Sequence, residues 1–91
     1  MPDYIGDVLK EYAELTKEIY ESALKAVILY GSYARGDYTE DSDVDILILV
    51  DMEEDEIGRS RERLSSLTYD FDEVHDLKIM PEVIGEKQFA Y

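Results

Sequence analysis

The chain has 91 residues, no cysteine, one histidine and a formal net charge of -14. Disulfides, thiolate zinc sites and histidine-rich metal centres are therefore excluded. So large an excess of acid argues against a broad phosphate-neutralising surface for nucleic acid, and favours cationic ligands: metal ions or a basic partner protein.

The length predicts one small domain, 1–91, built on a single modest core. No apolar run nears the roughly 20 residues that cross a bilayer. The N-terminus lacks the basic start and apolar stretch of a secretion signal. The expectation is a cytoplasmic protein without membrane contact.

In chain order, Asp3 to Ala23 is predicted helical. Ile5, Val8, Leu9, Tyr12, Leu15, Ile19, Tyr20 and Ala23 recur at three- and four-residue steps, a core-facing stripe. Pro2 fits just outside the helix, and Asp3 and Asp7 suit its positive end. Ala26 to Tyr30 is a short apolar strand, ended by Gly31. Ser32 to Gly36 can form one helical turn, and Asp37 to Ser42 is polar loop. Asp45 to Val50 is a second strand, apolar on both faces as a central strand is. Five of the six residues from Asp51 to Glu56 are acidic. A helix from about Glu54 to Leu67 follows, marked by Ile57, Leu64 and Leu67. Its early acids complement the helix dipole, while Gly58 weakens it by about 1 kcal/mol relative to alanine. Val74 to Met80 is predicted as a third strand, stopped by Pro81. Its alternation places Asp76 and Lys78 on one face and His75, Leu77 and Ile79 on the other. Gly85 to Tyr91 is a short helix or tail.

The chemistry concentrates between the first two strands. Gly31 and Ser32 are followed, after ten residues, by Asp43-Val44-Asp45. In extended chain the two aspartates point the same way, and their mutual repulsion is relieved by a cation. Oxygen donors without Cys or His suit Mg²⁺, or Mn²⁺. A third carboxylate from a neighbouring strand would allow two ions, and Asp76 is the candidate, with Asp72 in reserve. Gly31 lets backbone approach a phosphate without a Cβ in the way. Ser32 offers a hydroxyl and an N–H at a helix start, a natural anion site. Arg35 could reach a phosphate, and Lys78 could add positive charge. A P-loop is ruled out because no Gly-Lys-Ser/Thr ending is present. An EF-hand starting at Asp41 fails too: Ile46 stands where glycine is required and Met52 where glutamate is.

On these residues, Gly31 to Asp45, the chain resembles the minimal nucleotidyltransferase (MNT) domains of the DNA polymerase β-like superfamily. The resemblance implies an α/β (α+β) fold like the polymerase β palm: a small mixed β-sheet, helices on one face, the active cleft on the other. It implies that Gly31 and Ser32 bind a nucleoside triphosphate, and that Asp43 and Asp45 hold two Mg²⁺ ions with Asp76 completing the site. The implied reaction is attack of an acceptor hydroxyl on the α-phosphate, with pyrophosphate leaving. ATP is the expected donor and a protein the expected acceptor. The resemblance also implies a setting: domains of this kind often pair with a small helical HEPN protein in toxin–antitoxin modules, with the MNT member as antitoxin, so a HEPN-type partner is expected. Two alternatives stand beside this expectation. One is an antitoxin that masks a basic HEPN partner without catalysis. The other is a small-molecule nucleotidyltransferase of the antibiotic-modifying type.

Overall fold

The computed structural model describes residues 3–39 and 41–89. Pro2 and the last two residues of the expected C-terminal segment lie outside them. Helix α1 (Asp3–Tyr20) runs into one 3₁₀ turn (Glu21–Ala23) and then strand β1 (Leu24–Tyr30). A five-residue helix, α2 (Gly31–Arg35), and a loop lead to β2 (Val44–Val50). Helix α3 (Glu54–His75), β3 (Ile79–Gly85) and α4 (Glu86–Phe89) complete the order.

The three strands form one mixed sheet in the order β1-β2-β3. β1 and β2 are antiparallel, whereas β2 and β3 are parallel. A parallel neighbour needs a crossover, and α3 supplies it. In β2, Val44, Ile46, Ile48 and Val50 are fully buried, while Asp45, Leu47 and Leu49 between them are only half-buried. The first set joins Ile5, Tyr12 and Tyr20 of α1 and Ile57, Leu64 and Phe71 of α3 in the core. The helices therefore cover one sheet face and leave the other open. No helix among the described residues is long and apolar enough to cross a membrane.

Two expectations are corrected. Helix α3 does not stop near Leu67 but continues to His75, and the third strand is Ile79–Gly85 rather than 74–80. The buried stripe of α3 is Ile57, Ser60, Leu64, Thr68 and Phe71. Two of these are hydroxyl residues, so an apolar pattern breaks where the helix in fact continues. Their polarity is satisfied from α1. Tyr20 Oη lies 2.9 Å from Ser60 Oγ, and Tyr12 Oη lies 2.8 Å from Thr68 Oγ1. Buried hydroxyls paired in this way carry little of the desolvation penalty of lone ones. Pro81 does not end the strand either. β3 is an edge strand, the place where a residue without an N–H is tolerated.

The end of α3 is closed by Asp76, which takes the left-handed conformation at φ 53 and sends its N–H to the Asp72 carbonyl. Aspartate is among the few residues that adopt this conformation routinely. Asp72 itself ties helix to strand: its carboxylate accepts the Ile79 N–H at 3.1 and 3.3 Å.

Candidate functional site

The site is assembled where β1 and β2 meet. Tyr30 ends β1 in extended conformation, and Gly31 then turns the chain into α2 at φ +74. That left-handed conformation suits glycine. Space demands glycine as well, because a Cβ at Gly31 would lie 3.0 Å from Asp45 Cγ and nearer still to Oδ2. The backbone of the turn thus rests directly against the Asp45 carboxylate. Ser32 follows, half-buried, and its carbonyl accepts the N–H groups of Gly36 (2.9 Å) and Asp37 (3.1 Å). Gly36 closes α2 at φ 88. Tyr33 is buried in the core and stacks on Tyr38, with ring centroids 4.6 Å apart and planes 7° from parallel. That contact anchors α2 to the loop after it.

The loop returns the chain to the site. Thr39 N–H donates to Ser42 Oγ at 2.8 Å, and Ser42 N–H donates to the Thr39 carbonyl at 3.1 Å. The exposed Asp43 follows. Val44 N–H then donates to the Lys78 carbonyl at 2.8 Å, which starts the β2–β3 pairing. Asp43 immediately precedes β2, and Asp45 stands on its open face opposite Tyr30 in the β1 register and Met80 in the β3 register.

Gly31, Ser32, Asp43 and Asp45 are therefore brought to one end of the sheet. Arg35 is close in sequence, but its guanidinium pairs with Asp37 at 3.4 Å in an exposed contact. An exposed pair of this kind contributes little and leaves Arg35 available to exchange partners. Asp76 is exposed and caps the C-terminus of α3, not a strand position beside Asp45. Lys78 precedes β3. Among the described residues, no three carboxylates or imidazoles gather as a metal-holding group. Asp72 has the structural work described above. Its pKa is raised above the ordinary carboxylate range by burial, against the opposing pull of the Ile79 N–H.

One acid was not reached by sequence reasoning. With β3 running Ile79–Gly85, Met80, Glu82 and Ile84 share the open face with Asp45, Leu47 and Leu49. Tyr30 reaches across this face. Its phenol pKa is raised by lost solvation, then by the charges of Glu82 and Asp45. Alternation along β3 would have revealed Glu82 had the strand been placed five residues later, where it lies.

Two carboxylates at the mouth of a strand, faced by a glycine turn that opens a helix on a small mixed sheet, define the nucleotidyltransferase type of site. The chain belongs to the nucleotidyltransferase domain family, whose family model matches residues 9–88. This agrees with the minimal-nucleotidyltransferase resemblance read from the motif. Among its relatives in Methanocaldococcus jannaschii is "Putative protein adenylyltransferase MJ0604", 53% identical over 47 residues, or 52% of this chain and 47% of the relative. "Putative protein adenylyltransferase MJ0141" of the same organism is 54% identical over 46 residues, 50% of this chain and 46% of the relative. The chain thus matches about half the length of these curated relatives. No solved structure gives a significant match.

Proposed function

We propose that this domain transfers a nucleoside monophosphate, AMP from ATP, to a hydroxyl on a partner protein. The observation that carries the reading is the seating of the Gly31 backbone on the Asp45 carboxylate. It holds a phosphate-binding turn and an acid pair in one fixed relationship. The relatives' names, protein adenylyltransferases, support the same donor and acceptor class.

In this reading Gly31 and Ser32 bind the triphosphate, with Arg35 in reach of its outer phosphates. Asp43 and Asp45 have the chemistry for Mg²⁺, or Mn²⁺: hard oxygen donors, one or two carboxylates, and further ligands from substrate phosphates and water. When bound, the ion stabilises charge on the attacking and leaving oxygens. The protein's own residues position the triphosphate and orient the acceptor. The acceptor oxygen bonds to the α-phosphorus, the bond to pyrophosphate breaks, and the acceptor proton passes to a nearby carboxylate. The biological setting that fits is the antitoxin member of a HEPN/MNT pair in the cytoplasm.

The test is incubation with labelled ATP, Mg²⁺ and a bound HEPN-type partner. Label should pass to the partner with wild-type protein and not with Asp43→Asn/Asp45→Asn, while circular dichroism of the variant stays unchanged. Absence of transfer by wild type onto a bound partner would overturn the reading. A second reading, neutralisation of a basic partner by masking alone, is favoured by one observation: β3 sets Met80 rather than an acid opposite Asp45. Neutralisation that survives the double substitution would support it.

A further inference from the structure

The open face of the sheet is apolar where a solvated face would be polar. Ile28, Leu47, Leu49, Met80 and Ile84 lie on it, and none of the five belongs to the core beneath the helices. Ile28 is 38% exposed and Met80 54%. The charged residues with a register position on this face are both acids, Asp45 and Glu82, while the exposed Lys25 stands at the β1 bulge at its far end. An exposed apolar surface rimmed by one sign of charge marks an interaction site.

The chemistry of the face selects its occupant. A second copy docking face to face would bring Asp45 and Glu82 against their counterparts and join two chains of charge -14, an arrangement opposed by like-charge repulsion and desolvation. A nucleic acid would meet the same repulsion. A protein surface that combines apolar side chains with Lys and Arg satisfies both the apolar centre and the acidic rim. We infer that the open sheet face, centred on Ile28, Leu47 and Met80, is the docking surface for a basic, apolar partner protein, which brings the acceptor hydroxyl to Asp45. The second clause rests on the proposed transfer activity; the docking surface does not.

Two synthetic peptides test the inference. Both carry one tyrosine and the same leucines, one with lysines and the other with glutamates at the remaining charged positions. In ¹H–¹⁵N correlation spectra the lysine peptide should bind, weaken with added salt, and shift resonances of Ile28, Leu47, Met80 and Ile84. Ile28→Lys and Met80→Lys, both at exposed positions, should each weaken binding at least about tenfold without changing the fold. Equal binding of the two peptides, binding of neither, or shifts confined to residues of α1 and α3 would overturn the inference. So would a dimer of the free chain that Met80→Lys dissociates. Addition of MgATP separates the two claims. Binding at the mapped face without AMP on the peptide tyrosine would refute the transfer reading and leave the docking surface standing. Transfer that proceeds unchanged in Ile28→Lys and Met80→Lys would refute the docking surface alone.

Discussion

Gly31 and Asp45 meet backbone to carboxylate, with no room between them for a Cβ. Strand β1 ends and strand β2 begins at this contact, so it sets the distance between the turn and the acid pair. A side chain at residue 31 must displace Asp45 or the turn.

Gly31→Ala should therefore damage site and fold together. The left-handed conformation costs an alanine about 1–2 kcal/mol, and the collision with Asp45 adds to it. A displacement of about 1 Å at a reacting centre lowers rate about 100-fold, and a loss of at least that size in AMP transfer is expected. Gly58 gives the internal control. It lies in the second turn of α3, exposed, with open space where a Cβ would stand. Gly58→Ala should raise stability by about 1 kcal/mol and leave transfer unchanged. Thermal unfolding and a transfer assay on both variants check the contrast.

The two acids on or near β3 should behave differently. Glu82 shares a sheet face with Asp45, whereas Asp76 caps α3 in the left-handed conformation. If Glu82 receives the acceptor proton, Glu82→Gln should lower transfer about 100-fold, with Glu82→Asp recovering part of it and nucleotide affinity unaltered. Asp76→Asn, which keeps a residue tolerant of that conformation, should transfer at the wild-type rate. A steep loss in Asp76→Asn with wild-type behaviour in Glu82→Gln would reverse the assignment.

These paired acids also mark how far the sequence could be read. The Gly31–Asp45 spacing and the two apolar runs around it placed β1, β2 and the turn correctly, because both strands are continuous in hydrophobicity. α3 and β3 were misplaced because their signals are polar. Ser60 and Thr68 face the core, satisfied by tyrosines some 40 and 56 residues earlier in the chain. That pairing exists only after α1 and α3 have packed. Pro81 reads as a strand stop unless the strand is known to lie at a sheet edge. Both errors moved β3 toward the N-terminus and put Asp76, rather than Glu82, on the open face.

The Tyr12–Thr68 pair predicts an alkaline limit to stability. Burial pushes the Tyr12 phenol from 10.0 up to about 12, with the Thr68 hydrogen bond opposing and the charges of Asp72 and Tyr20 adding. Above pH 10 an unfolded Tyr12 ionises while the folded one keeps its proton. Stability supplied by this group should thus fall as pH rises from 10 toward 12. Tyr12→Phe should remove that part of the slope. It should also cost about 1 kcal/mol at neutral pH, since Thr68 loses its partner. Urea unfolding at several alkaline pH values measures both effects.

Asp72 carries the opposite lesson at acid pH. Burial raises its folded pKa, although it accepts the Ile79 N–H that starts β3. The native state therefore holds the Asp72 proton to higher pH than the unfolded chain does. The stability this group contributes is fully present below its unfolded pKa and is lost as pH rises through the folded one. At neutral pH the ionised carboxylate is a cost to the fold. Asp72→Asn keeps an oxygen for the Ile79 N–H and removes the charge. It should be more stable than wild type at neutral pH, by a margin that shrinks as both are acidified. Asp72→Ala loses the acceptor as well, so at acid pH it should be less stable than either by about 1 kcal/mol. Paired denaturation curves across the carboxylate range decide the matter. A margin between wild type and Asp72→Asn that does not change with pH would mean that the carboxylate is not penalised by its burial between α3 and β3.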